Sequence, residues 1–146
     1  MKFITQKLVR FHHCDPAGIV FYPQFYYLLH EVQEDFLAHI GFPEHGLIAG
    51  GHGVPIVDMK TEFLGMCRNG DELTMTLELT RIGGASVAIH YEIHALRQAG
   101  SASPAIKLRE DSIFVYSTDP QGKPLPIPDD LRAALLPYLR SPMETS

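Results

Sequence analysis

The stretch HHCDPAGIVFYPQF, residues 12–25, gathers reactive side chains just ahead of an apparent helix start. Asp15 brings a carboxylate, Cys14 a thiol, and His12 and His13 two imidazoles; Tyr22-Pro23 then opens the helix. A helix N-terminus leaves backbone N–H groups without partners and carries about half a positive charge. Such donors hold the oxyanion that forms when a thioester or ester carbonyl is attacked. A carboxylate a few residues ahead serves that chemistry as general base for water or as nucleophile. Gly18, between the two, lets the backbone approach a ligand closely. Taken alone, the structural alternative is the stronger one: an Asp beside a helix start usually caps the helix or forms a turn.

Other reactive groups carry less. His12, His13, Cys14 and Asp15 are all metal-ligand types, but adjacent residues in an extended segment point to opposite faces, and no HxH or HExxH pattern completes a set. No metal site is therefore expected. His30 is expected to pair with Glu31 or Glu34 on a helix face, and His90 and His94 to be solvated. Cys14 reads as a packing residue, and Ser86, with no base beside it, as part of a turn.

Several elements must position these groups. From Phe25 onward the apolar residues Phe25, Leu28, Leu29, Val32, Phe36 and Ile40 follow helical spacing. Pro23 suits the first helical turn and Gly41 the position after the last. Tyr26, Tyr27 and Leu37 widen the stripe, which predicts a helix wrapped by other structure. Strands are predicted over 3–11, 57–63, 72–79, 87–95 and 106–116, from alternation such as Leu73, Met75, Leu77 and Leu79 against Glu72, Thr74, Thr76 and Glu78. Gly83-Gly84 predicts a tight hairpin through positive φ, and 98–105 a looser loop. A short helix is expected over 128–139. The order is β-α-β-β-β-β, an α+β layer architecture with one long helix against an antiparallel sheet. Ala88 and Leu96, on the polar faces of the strands, point to partial burial there and hence to self-association.

Composition narrows the classes. The 146 residues make one domain, 1–146, with an ordinary apolar fraction of 45% and charged fraction of 20%. A formal net charge of −5 argues against nucleic acid or an anionic membrane as partner. Two cysteines without a CxxC motif make no disulfide framework. No signal peptide and no membrane-spanning run is read, so a cytoplasmic protein is expected.

CDPAGIVFYPQFYYLLHEVQEDF, residues 14–36, resembles the signature of the hotdog-fold acyl-CoA thioesterases, in particular the 4-hydroxybenzoyl-CoA thioesterase family. GVPIVDMKTEFL, residues 53–64, resembles the strand that follows in that family. The resemblance covers roughly residues 3–118 and implies a five-stranded antiparallel sheet wrapped round one long central helix. It implies Asp15 as the catalytic base or nucleophile, the Tyr22 backbone amide as oxyanion donor and Gly18 as the turn glycine. Where the family commonly carries a second acid, two residues before Asp15, this chain has His13. The resemblance further implies a homodimer or homotetramer with active sites between subunits, an aryl- or short-chain acyl-CoA substrate, and no cofactor. Coenzyme A brings phosphates, so Arg81, Lys107 and Arg109, with Arg68, are candidate contacts for it. A hotdog hydratase or dehydratase, which needs a His with an acid at the helix, and a non-catalytic acyl-CoA-binding module are the alternatives.

Overall fold

A computed structural model of the chain describes residues 1–96, 105–118 and 121–141. Its elements are β1 (Phe3–Leu8), α1 (Pro23–His39), α2 (Glu44–Ala49), β2 (His52–Gly53), β3 (Ile56–Phe63), β4 (Glu72–Ile82), β5 (Ser86–Ala95), β6 (Ala105–Val115), β7 (Ser117–Thr118) and α3 (Asp129–Leu135). Single 3₁₀ turns lie at Phe11–His13 and Leu136–Tyr138. Five strands form one antiparallel sheet in the order β1-β4-β5-β6-β3, and β2 pairs with β7 in a separate short ladder.

The apolar stripe of α1 explains its place. Phe25, Leu28, Leu29, Val32, Phe36 and Leu37 are buried together with one polar residue, Gln33. Tyr27, expected to widen the stripe, is instead exposed on the side of α1 away from the core. The helix stops at Gly41, whose φ of +94° only glycine adopts cheaply. The Gly41 N–H donates to the Ala38 carbonyl at 3.1 Å and the Phe42 N–H to the Leu37 carbonyl at 2.8 Å, which satisfies two of the last carbonyls. Phe36 is the centre of the packing beneath, with Tyr138 at 4.9 Å and Phe3 at 5.6 Å between ring centroids.

Strand parity follows the sequence in β4 and β5, where Leu73, Met75, Leu77, Leu79, Val87, Ile89, Tyr91 and Ile93 all face the core. Elsewhere it departs. The first strand ends at Leu8 rather than Phe11, because Val9 turns to donate to the Asp71 carbonyl and residues 11–13 coil. In β3, an edge strand, Val57 is an extra residue opposite β6 and is 60% exposed, while Phe63 is 48% exposed. The Gly83-Gly84 hairpin uses no positive φ; a Cβ on Gly83 would sit 2.7 Å from an Arg81 guanidinium nitrogen and 3.0 Å from Ser86 Oγ. The bare glycine leaves room for the Arg81 guanidinium to reach Ser86. The helix expected over 128–139 is α3 followed by the 3₁₀ turn, since Pro137 interrupts it. Residues 97–104 of the expected loop lie outside the described ones, and α2, β2 and β7 were not foreseen.

The polar side of the sheet is partly covered. Glu78 is buried and takes hydrogen bonds from the Arg140 guanidinium, which the C-terminal segment brings alongside Leu79. His90 is not solvated as expected: its ring lies between Asp111 at 2.9 Å and Glu92 at 2.8 Å, with 13% of the side chain exposed. Cross-strand registry causes this, since His90 lies directly opposite Asp111. His94 reaches the same Glu92 at 3.7 Å.

Because Phe36 is fully enclosed by rings from β1 and the C-terminal turn, Phe36→Ala should cost about 3–5 kcal/mol of unfolding free energy. Urea denaturation of the purified variant measures it.

Candidate active site

Asp15 sits at the tip of a small hairpin. The Asp15 N–H donates to the Ile19 carbonyl at 2.9 Å and the Gly18 N–H to the Asp15 carbonyl at 2.9 Å, with Gly18 at φ +81°. This is a three-residue loop closed by a left-handed glycine, and Asp-Pro-Ala-Gly supplies the residue each position favours. One carboxylate oxygen, Oδ1, accepts the Ala17 N–H at 2.8 Å. Asp15 is thus a turn former and not the cap of α1, whose N-cap is Tyr22 without a side-chain bond. Oδ2 makes no hydrogen bond among the described residues, so the half-buried carboxylate is held by one oxygen and offers the other.

The hairpin runs straight into the helix. The Phe21 N–H donates to the His13 carbonyl at 3.0 Å, and the Val20 N–H to the Cys67 carbonyl at 2.8 Å. At the helix start the Gln24 N–H goes to the Phe21 carbonyl at 2.8 Å and the Phe25 N–H to the Tyr22 carbonyl at 3.1 Å, while Pro23 has no N–H. Among the described residues the Tyr22 N–H alone of residues 21–25 has no acceptor. One backbone donor is left at the positive end of α1, in the segment that carries Asp15.

The neighbours leave the carboxylate as the nucleophilic or basic group. Burial, then the Asp15 charge, pushes the Cys14 thiol up, and burial pushes the Cys67 thiol up to about 11. Neither is a ready thiolate. His13 accepts the Arg10 N–H at Nδ1, 2.9 Å away, and burial, then the charge of neighbouring His12, holds its pKa down. It is therefore a neutral ring beside the hairpin.

The basic candidates divide. Arg68 is bridged to Ile19, next to the Asp15 turn. Lys107 lies against Gly65 at the same end of the sheet, where a Cβ on that glycine would come within 2.9 Å of its stem. Arg109 is exposed on the outer face opposite Glu62 and Glu92. Arg81 is at the other end of β4, ten residues beyond Asp71, or roughly 30 Å along the strand, and its guanidinium donates to Ser86 at 3.2 Å. The structure therefore gathers Asp15, Gly18, Tyr22, Arg68 and Lys107 at one end and leaves Arg81 at the other.

A further group of polar residues was not singled out from the sequence. Beneath α1, Glu110 is 3% exposed and accepts the Thr61 hydroxyl at 2.7 Å, and Thr61 accepts the Tyr26 hydroxyl at 3.3 Å. Tyr91, beside Glu110 in the sheet, donates to Gln33 Oε1 at 3.4 Å. Tyr26, Gln33, Tyr91 and Glu110, with Ser112, line a partly open cavity of about 30 Å³ between α1 and the sheet. Strand parity was the available signal: with Leu108 and Phe114 facing inward, Glu110 and Ser112 must face inward too. On the same helix His30 faces Glu34 at 3.7 Å and Glu44 at 3.5 Å, whereas Glu31 turns to Lys7 at 3.8 Å. His30, Glu34 and Glu44 are the one group of potential metal ligands among the described residues, and no metal was expected from the sequence.

The sequence profile of the thioesterase-like superfamily matches residues 9–135. A 1,4-dihydroxy-2-naphthoyl-CoA hydrolase from Synechocystis sp. is 26% identical over 127 residues, covering 86% of this chain and 90% of that one. A 4-hydroxybenzoyl-CoA thioesterase from Pseudomonas sp. is 22% identical over 132 residues, covering 86% and 91%. Among solved structures, a 1,4-dihydroxy-2-naphthoyl-CoA thioesterase from Synechocystis superposes with a TM-score of 0.80 at 26% identity, over 93% of this chain and 96% of that one. The Pseudomonas 4-hydroxybenzoyl-CoA thioesterase gives 0.82 at 23%, over 91% and 98%. The fold thus has its counterparts in one class, and the profile spans most of the chain: this chain belongs to the thioesterase-like superfamily. Within it the protein is a thioester hydrolase with the α+β hotdog fold.

Burial raises the Glu110 pKa, Asp111 adds to that, and the Thr61 hydrogen bond opposes it. A carboxyl group with a raised folded pKa loses its proton first in the unfolded chain, so it subtracts stability as pH rises through the carboxylate range. Glu110→Gln keeps the shape and removes the titration. The melting temperature of Glu110→Gln minus that of the parent should grow from pH 4 to pH 7, as followed by circular dichroism; a constant difference would assign the effect elsewhere.

Proposed function

We propose that this protein is an acyl-CoA thioesterase that hydrolyses an aryl- or short-chain acyl-CoA to the free acid and coenzyme A. The observation that carries the reading is the unspent Tyr22 N–H at the start of α1, joined by one short hairpin to a carboxylate with an open oxygen. The thioester carbonyl oxygen takes the Tyr22 N–H, and Asp15 acts on the carbonyl carbon. As base, Asp15 accepts a proton from water while the hydroxyl oxygen bonds to that carbon; the C–S bond then breaks and the thiolate of coenzyme A leaves. As nucleophile, the Asp15 oxygen displaces the thiolate itself, and water hydrolyses the resulting anhydride. Gly18 keeps the hairpin tip bare where substrate approaches.

We read α1 as the long central helix around which the sheet curls, in one domain spanning 1–146. Lys107 and Arg68, at the Asp15 end of the sheet, would meet phosphate groups of the same bound substrate, whereas Arg81 and Arg109 would serve only across a subunit boundary. The relatives named for hydroxylated aromatic acyl-CoA substrates favour an aryl group. No cofactor is required by this chemistry, and neither nucleic acid nor membrane is a partner in it; a cytoplasmic location fits coenzyme A chemistry. The free edge of β3 carries exposed Val57, Met59 and Phe63, followed by exposed Leu64, and Phe63 lies beside the helix start. An apolar edge strand of this kind pairs or aggregates unless covered, which supports a homodimer or homotetramer that closes the site with a second subunit. The hydratase alternative lacks a matching His and acid at the start of α1.

Asp15→Asn should lower kcat on an aryl-CoA by about 10²-fold to 10⁴-fold with the melting temperature unchanged. Tyr22→Phe should keep most activity. Tyr22→Pro removes the donor at a residue whose φ of −51° proline tolerates, and should lose about 10²-fold to 10³-fold in kcat. Thiol release followed with a chromogenic disulfide reads all three variants, and equal damage from Tyr22→Phe and Tyr22→Pro would shift the role to the phenol. Light scattering at micromolar concentration should give a dimer or tetramer for the parent and a smaller species for Val57→Glu, whose charge would fall within the covered edge.

A further inference from the structure

The cavity beneath α1 has a chemical character that core packing does not explain. Gln33 is 1% exposed, its Oε1 is occupied by the Tyr91 hydroxyl, and its Nε2 has no acceptor among the described residues. Glu110 faces the same space, and no cation pairs with it among the described residues. A buried donor without a partner costs about 1–3 kcal/mol, and a buried carboxylate without a cation costs more. Both stand on the wall of one cavity, next to a core built mainly from aliphatic and aromatic side chains.

Position along the helix connects this cavity to the proposed chemistry. Tyr22, Tyr26 and Gln33 follow one another at i, i+4 and i+11 and share a face of α1. At 1.5 Å per residue, Tyr26 lies about 6 Å and Gln33 about 16 Å beyond the Tyr22 amide. Phe63, with its ring centroid 6.3 Å from Tyr22 and 6.4 Å from Tyr26, forms an apolar wall beside the first part of that path.

We infer that Gln33 and Glu110 are a specificity-determining pair that binds a hydroxyl group on the acyl portion of the substrate, remote from the thioester. The inference rests on the thioesterase reading given above. A hydroxyl oxygen accepts from the Gln33 NH₂ and its hydrogen goes to the Glu110 carboxylate, so one atom satisfies both residues. A carboxylate on the acyl group would be repelled by Glu110, an ammonium could not accept from Gln33, and an apolar end would leave both groups unpaired. A cavity of about 30 Å³ takes a hydroxyl or a water, while the ring behind it lies against Phe63 and Met59 towards the opening. Desolvation, which raises the Glu110 pKa, marks the same group as one that gains from a new hydrogen bond.

The test measures binding without turnover, on intact Asp15→Asn protein, by calorimetry with 2-naphthoyl-CoA and 6-hydroxy-2-naphthoyl-CoA. The hydroxylated thioester should bind about 10²-fold more tightly, since a site with buried polar groups rejects the analogue that leaves them unpaired. Gln33→Met in the same background should bring the two affinities within about threefold, chiefly by weakening the hydroxylated ligand. Glu110→Gln, which keeps an acceptor, should retain part of the preference and serves as the variant least disturbing to folding. Equal affinities in the Asp15→Asn parent would overturn the inference and leave the cavity as a site for structural water only. A preference untouched by Gln33→Met would overturn it as well. Hydrolysis of both ligands by Asp15→Asn at the parent rate would instead count against the Asp15 mechanism, while the affinity ratio still decided the hydroxyl site.

Discussion

A helix cannot bond its own first amides, and in this protein nearly all of those near the start of α1 are otherwise used. Pro23 removes one donor, tight turns absorb the Gln24 and Phe25 N–H groups, and the incoming hairpin takes that of Phe21. What remains is the single Tyr22 N–H, at the positive end of a 17-residue helix. A donor left in water costs little, because water replaces the missing partner. In the oxyanion role proposed for it, it would also need no reorganisation as a carbonyl oxygen became negative in front of it. The hairpin that uses up the neighbouring amides also carries Asp15, so one set of backbone bonds both leaves the Tyr22 donor over and fixes the turn that holds the acid.

The hairpin is held in turn by the loop before β4. Val20 donates to Cys67, Asn69 to Gly18 at 3.3 Å, and Gly70 to Val9 at 2.9 Å, so residues 9–20 and 67–71 form one bonded unit at the end of the sheet. The sheet fixes that unit through β4 and fixes the far end of α1 through Phe36 and Tyr138. The helix is thereby pinned at both ends. Between these ends its covering of β3 is incomplete, and this is where Phe63 and Met59 remain exposed and the cavity opens.

Much of this was legible in the residues. Asp-Pro-Ala-Gly names its own turn, because each residue suits one position of it, and Pro23 and Gly41 mark the two ends of α1. The period-two patterns of β4 and β5 gave their inward faces directly. Misreadings arose where geometry between strands decides. His90 looked solvated because nothing local shows that Asp111 lies across from it. A glycine pair between strands suggests positive φ, whereas neither Gly83 nor Gly84 uses it and Arg81 and Ser86 meet over the turn instead. Arg81 appeared as plausible a phosphate contact as Lys107, since only the direction of β4 separates them. Short elements such as α2 and β2 have too few residues for any period to show.

Glu110 shows what a polar residue at an inward strand position means for the balance of this fold. Its cross-strand neighbours Thr61 and Tyr91 make a row of polar side chains directly under α1, between the apolar row Phe63–Leu108–Ile93 and the mixed row Met59–Ser112–Ile89. An all-apolar row would pack with no desolvation cost, so the present one lowers stability by its own local terms. Thr61 and Tyr26 offset part of the cost by hydrogen bonding, but Gln33 Nε2 remains without a partner. The core around the row is tight enough to bear this: Val32, Phe36, Leu73, Leu77 and Ile93 are fully enclosed on either side of it. The polar row is confined to the strip reached from the exposed side of β3, and the stable packing lies where no ligand needs to enter.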